Sequence, residues 1–276
     1  MWMLTLPAGL VLLVLAGWAA YGVLVYELQD GLVFPAPGGI DRASLDAAAA
    51  EIGAKPVQLT AADGTQLYAW HRAASGDRAI LYLHGNAETV AGSMSLQRLA
   101  HQEGWDFLAV AYRGYPGSEG APSQAGVVLD ARAAWDHLVD EVGVKPDRVV
   151  VHGRSLGGGV ALQLTQEVTP AGLVLESTFR SVLELALRTA PGLPVERLLR
   201  HPFRSDLIAP ECDVPTLVLH SRDDGVIPVD HGRWLAEALP NGELVEVVGH
   251  NHGALIAVRD RVAQERYLAW LGERVP

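Results

Sequence analysis

Six short apolar runs recur between residues 79 and 248 of this chain, and stretches of helical periodicity separate them. The runs are AILYL (79–83), FLAVA (107–111), RVVV (148–151), GLVL (172–175), TLVL (216–219) and LVEVV (244–248). Strands that are apolar at consecutive positions have both faces covered, the condition of a parallel sheet enclosed by helices. Between two of the runs, Val127, Ala131, Ala134, Trp135 and Leu138 repeat at spacings of three and four. Ahead of them, VQLT (57–60) and QLYAWH (66–71) flank Asp63-Gly64, the pattern of a hairpin turn. The chain is therefore expected to be α/β: a mostly parallel eight-stranded sheet with helices on both faces.

The first segment obeys a different rule. Residues 6–26 carry no charge, and their length is about that needed to cross a ~30 Å hydrocarbon layer as a helix. Trp2, Trp18, Tyr21 and Tyr26 are the residue types that sit at headgroup level. A cleaved signal peptide is the competing reading. Against it, the run lacks a basic leader and is longer than the usual apolar core of such peptides. Residues 1–29 are thus read as a single-pass N-terminal membrane anchor and 30–276 as one domain. Arg42 is the first cation in the chain, so the charge bias across the anchor assigns no side. A stretch from 179 to 210, punctuated by Pro191, Pro194, Pro202 and Pro210, interrupts the alternation. It is expected to form a small cap between the sixth and seventh strands.

A net charge of −11 would repel nucleic acid, so no nucleic-acid partner is expected. The single cysteine, Cys212, excludes an internal disulfide. No cluster has the spacing of a metal site: His250 and His252 lack further ligands, and no metal is expected.

The chemistry centres on Gly153-Arg-Ser155-Leu-Gly157. A G-x-S-x-G pattern alone is weak, but here it follows a buried strand and opens a helix, the geometry of a nucleophile elbow. A hydroxyl needs a base, and in this arrangement the acid and then the histidine follow the serine in the chain. Asp224 lies in the loop leaving the seventh strand, and Gly249-His250-Asn-His252-Gly follows the eighth. Both loops lie at the carboxyl ends of strands, where open α/β sheets bind their ligands.

HGNAE (84–88), YRGYPGSEG (112–120), GRSLGGG (153–159), ESTF (176–179), DDGVIP (223–228) and GHNH (249–252) together resemble the membrane-anchored α/β-hydrolase-domain proteins of the Bem type. The likeness spans nearly the whole chain. It implies the α/β-hydrolase fold, serine hydrolase chemistry and N-terminal anchoring. Matched residue by residue, it places the nucleophile on Ser155, the base on His250 and the acid on Asp224. That family usually carries a small residue where this chain has Glu88.

Alternatives stay open at three positions. Asp223 or Glu176 could be the acid, Glu176 otherwise supporting the site from behind, and His252 could be the base if the loop is read two residues later. The oxyanion hole is expected from the backbone N–H groups of Leu156 and Asn86. His84 is read as a structural hydrogen-bonding residue, and Tyr115 and Ser118 as loop residues beside the site or plain turn residues. The expected reaction is cleavage of a carboxylic ester or thioester through an acyl-enzyme, without a cofactor. The substrate would be a small-molecule acyl ester or a lipid near a membrane. A peptidase of the prolyl-oligopeptidase type and a non-catalytic tethered scaffold are the rivals. Arg180, Arg188, Arg197, Arg200 and Arg204 all fall in the cap, either as ordinary solvated residues or as a face for anionic headgroups.

Overall fold

The computed structural model describes residues 8–190, 192–253, 255–256 and 260–275. Trp2, Leu6 and Pro191, named above, lie outside them. Helix α1 (Ala8–Val33) and α2 (Arg42–Glu51) precede the hairpin β1 (Lys55–Thr60) and β2 (Gln66–Arg72). Then come β3 (Ala79–Leu83), α3 (Met94–Gln102), β4 (Asp106–Val110) and α4 (Gln124–Asp136), which continues into one π turn at His137–Glu141. Strand β5 (Val149–Arg154), α5 (Leu156–Leu164) and β6 (Gly172–Glu176) lead into the cap helices α6 (Val182–Thr189), α7 (Val195–Leu198) and α8 (Ser205–Ile208). Strand β7 (Thr216–Ser221), α9 (Asp230–Ala238), β8 (Gly242–Val247) and α10 (Arg261–Arg274) close the chain.

The eight strands form one sheet in the order β1-β2-β4-β3-β5-β6-β7-β8. Only β2 runs antiparallel to its neighbours. Every residue of β3 to β7 is buried, so both faces are covered. The α/β-hydrolase architecture expected from the sequence is thus the one observed, with the cap between the sixth and seventh strands. Strand order reverses between β3 and β5, which pair with Leu83 opposite Gly153. Such a reversal opens a crevice beyond the carboxyl ends of the two strands.

Helix α1 runs without a break across residue 29, and its Leu12–Val33 portion is long and apolar enough to cross a membrane. Its last turns are tied to the cap. Gln29 Nε2 donates to the Leu198 carbonyl at 3.2 Å and Gln29 Oε1 accepts from Arg200 N–H at 2.6 Å. Asp30 pairs with His201 at 2.8 Å and Arg200 at 3.2 Å, and Phe34 packs edge-on against His201.

Arg113, from the loop after β4, joins the hairpin turn to α4. It bonds Asp63 with one end of its guanidinium and Asp130, which is fully buried, with the other. Burial works to raise the Asp130 pKa and outweighs the Arg113 hydrogen bonds that lower it. An acid so placed depends on its one cation. We expect Arg113→Ala to lose about 3–5 kcal/mol of unfolding free energy, because it strands a buried carboxylate. Urea denaturation reads this directly.

Candidate active site

Ser155 sits between the end of β5 and the start of α5 with φ of 51° and ψ of −116°. A side chain at positive φ is strained by about 1–3 kcal/mol, so its surroundings must hold it there. They do so from both sides. Ser155 N–H donates to the Glu176 carbonyl at 2.8 Å, and Thr178 Oγ1 donates to the Ser155 carbonyl at 2.7 Å. The turn closes because α5 lies directly on the strands. A Cβ at Gly157 would run into the Leu83 carbonyl, and one at Gly153 would meet the Gly157 carbonyl.

The histidine at the serine is His252. Its Nε2 lies 2.9 Å from Ser155 Oγ and its Nδ1 2.8 Å from Asp224 Oδ2. These partners select the tautomer in which Nδ1–H donates to Asp224 and Nε2 accepts from the serine. His250, expected at this place, points elsewhere: its Nε2 lies 2.8 Å from Asp260 Oδ2, at the N-terminus of α10. The reason is reach. β8 ends at Val247, Gly249 turns the chain at φ of 85°, and two more residues are needed to bring an imidazole back over the elbow.

Two residues that the sequence reading passed over or set aside stitch this loop to the acid loop. Asp223 Oδ2 accepts from Gly249 N–H at 2.6 Å. Asn251 Oδ1 accepts from Gly225 N–H at 2.9 Å and from His252 N–H at 2.8 Å. Ser221 Oγ donates to the His250 carbonyl at 2.5 Å, a third tie. Asp224 itself is buried, and its Oδ1 accepts from the N–H groups of Val226 and Ile227 at 2.9 and 2.8 Å. Burial alone would raise its pKa. Hydrogen bonds from His220, His252 and the Ile227 N–H overcome that and hold the carboxyl well below the ordinary range.

Glu176 does not reach His252. Its Oε2 lies 2.9 Å from His152 Nε2, and its Oε1 accepts from Ile256 N–H at 3.3 Å, so it braces the histidine loop from beneath. Although fully buried, it stays below its usual pKa, burial being outweighed by the His152 hydrogen bond and nearby Arg154.

The loop after β3 lies opposite. Asn86 and Leu156 line the same cavity as Ser155 and His252. Leu156 opens α5, so its N–H is one of the four a helix leaves without an internal partner. Glu88 holds this loop by two bonds: its Oε2 accepts from Gly85 N–H at 2.8 Å, and its Oε1 pairs with Arg154, the residue before Ser155. His84 is neutral and structural. Burial pushes its pKa down to about 4, and Nδ1–H donates to the Gly85 carbonyl at 2.7 Å. Tyr115 is buried against His84 at 4.9 Å between ring centres, behind the loop rather than in the cavity wall. Ser118 fastens the turn, accepting from Tyr68 N–H and donating to the Ala111 carbonyl.

The cavity measures about 280 Å³ and is almost wholly apolar. Phe179, Val182, Leu185 and Leu198 line it from the cap side, and Val25 and Leu32 from α1. None of its described lining residues is charged. Four of the five cap arginines are already paired. Arg180 and Arg188 hold Glu184, Arg200 holds Asp30, and Arg204 holds Asp206, which favours the ordinary reading of that cluster.

Comparison with known proteins agrees with this fold. A family model described as serine aminopeptidase, S33, of the hydrolase type, matches residues 74–200, which include Ser155 and stop before Asp224 and His252. An uncharacterized protein of Mycobacterium tuberculosis is 32% identical over 246 residues, 86% of each chain. The α/β-hydrolase domain-containing protein WAV2 of Arabidopsis thaliana is 31% identical over 77% of this chain and 76% of its own length. The lysophosphatidylserine lipase ABHD12 of Danio rerio is 32% identical over 56% of this chain and 46% of that enzyme. Among solved structures, an esterase of Pyrococcus furiosus superposes with a TM-score of 0.69 at 20% identity, covering 88% of this chain and 97% of that one.

Two outcomes are expected of the site. A fluorophosphonate probe should label Ser155, with labelling slowed by roughly 10²–10⁴ in His252→Ala and far less in His250→Ala, as the loss of a general base predicts. Because the folded Asp224 pKa lies below that of an unfolded chain, about 3.9, its ionised form stabilises the fold above that value. That contribution is lost as pH falls through the folded pKa. The stability gap between the wild type and Asp224→Asn should therefore be full at neutral pH and shrink below about pH 4 in denaturation curves.

Proposed function

This chain belongs to the α/β-hydrolase family, and from that premise we propose that it is a serine hydrolase cleaving carboxylic esters or thioesters of acyl or lipid-like substrates beside a membrane. The observation that carries this reading is the continuous contact Ser155–His252–Asp224, with links of 2.9 and 2.8 Å, opening on an apolar cavity.

The steps follow from the positions. His252 Nε2 takes the Ser155 proton as Oγ attacks the substrate carbonyl, and ionised Asp224 stabilises the imidazolium. The N–H groups of Leu156 and Asn86 receive the oxyanion, each such donor typically being worth about 3 kcal/mol in the transition state. His252 then returns the proton to the leaving alcohol or thiol. Water, deprotonated by the same imidazole, releases the acid and restores the serine.

The description of the matching family model raises an aminopeptidase reading. An aminopeptidase must hold a substrate ammonium group, and the described residues of this cavity include no carboxylate to do so. The apolar wall favours an acyl chain. The helix α1 supports a membrane location through its length and its uncovered leucines and valines.

The test is hydrolysis of p-nitrophenyl esters of graded chain length by the full-length protein in detergent. We expect turnover that disappears in Ser155→Ala and falls roughly 10³–10⁴-fold in Asp224→Asn, where the imidazole tautomer is no longer fixed. Turnover that persists in Ser155→Ala would refute the assignment.

A further inference from the structure

The cavity at Ser155 adjoins a groove along α1. Gly22, Tyr26, Leu193 and Leu198 line both spaces. The groove, about 510 Å³, runs on past Ala19 and Trp18 to Leu15. One wall is α1 and the other is the chain on either side of Pro194 in the cap. Their fit is close: Gly22 lies under Leu193, and Trp18 lies against Gly192.

The docked positions of α1 are Gly22, Val25, Gln29 and Val33, which repeat at helical spacing and therefore form one stripe. Off that stripe most of the helix is uncovered and apolar, Leu24 and Leu28 being more than half exposed, with Glu27 its exposed charge. The stretch able to cross a membrane, Leu12–Val33, includes the docked half. If α1 lies in a bilayer, the seam between α1 and the cap is then brought to the hydrocarbon edge. The seam is lined mostly by apolar side chains, Glu27 being the one charged residue among the described lining of the groove. Gln29, its main amide, is spent on Tyr26, Leu198 and Arg200. Val226, which lines the cavity together with His252, is 60% exposed, so the cavity meets water there.

We infer that α1 and the cap together form a lateral slot for the acyl chain of a membrane amphiphile, which slides from the bilayer along α1 until its ester reaches Ser155. The inference rests on the serine hydrolase reading above and adds that the anchor is a wall of the substrate site. The acyl chain fills the α1–cap seam, and the leaving group departs at the Val226 mouth. A hydrocarbon chain leaving water gains free energy in proportion to the methylenes it buries. Arriving from lipid, it gains little from transfer and is selected by fit, so the slot acts on chain length.

The experiment measures kcat/KM for p-nitrophenyl palmitate and butyrate with the full chain in mixed micelles. Gly22→Leu adds a side chain whose Cβ starts 3.4 Å from Leu193 Cδ2 and projects into the seam. Ala186→Leu narrows the same cavity from the cap side, so the test survives if the first variant displaces α1. Each should lower the palmitate-to-butyrate ratio at least about tenfold, the scale on which apolar pockets discriminate chain length. Leu24→Trp, equally bulky but on the uncovered face, should leave the ratio at its wild-type value. An unchanged ratio in both slot variants, or an equal fall on both esters, would overturn the slot while leaving the hydrolase reading intact. Absence of any Ser155-dependent hydrolysis in the wild type would overturn that reading, and the slot with it.

Discussion

Everything at the site depends on one strained residue held in place. Ser155 keeps a positive φ because β5 and α5 meet at a turn too tight for any other conformation, and because Glu176 and Thr178 bond its backbone on both sides. The strain, about 1–3 kcal/mol, is small against the burial of the strands around it. In return the hydroxyl stands clear of the sheet at the start of a helix, where the dipole favours a developing anion. Glycines at 153 and 157 let helix and strands approach closely enough for α5 to lie against the end of β3 and the loop that follows it.

The partners of the serine are positioned by loops that hold each other. Asp223 and Asn251 bond across between the acid loop and the histidine loop, and Ser221 adds a third tie. Beneath them Glu176, shared between His152 and Ile256, fixes the far limb of the histidine loop. On the opposite side Glu88 ties the loop after β3 to Arg154, the residue preceding Ser155. The polar groups around the serine thus divide into Ser155, His252 and Asn86, which line the cavity, and a larger set that fixes their geometry. Such fixed placement is what allows hydrogen-bond donors to stabilise charge without reorganising.

The parts legible in the sequence were those governed by local rules. Consecutive apolar residues identified β3 to β7, which are buried throughout, whereas β8, read the same way, is an edge strand and only partly covered. The elbow was legible because G-x-S-x-G fell between a strand and a helix. The histidine beside Ser155 was expected at His250 and stands at His252, because two histidines in one loop differ only in how far the chain must travel after Gly249. Nothing local encodes that distance. The role of Asn251 was likewise invisible, since its partner Gly225 is 26 positions away. The packing of α1 on the cap was also beyond reach: apolar character marks a helix for lipid or for protein, and only tertiary contact divides its faces.

The central claim is that acyl transfer passes through Ser155. Rapid acid quenching during turnover of a long-chain ester, followed by intact-mass analysis and peptide mapping, tests it most directly. The account predicts a covalent acyl adduct on the peptide carrying Ser155. An adduct on another residue, or ester turnover with no adduct at any quench time, would contradict it.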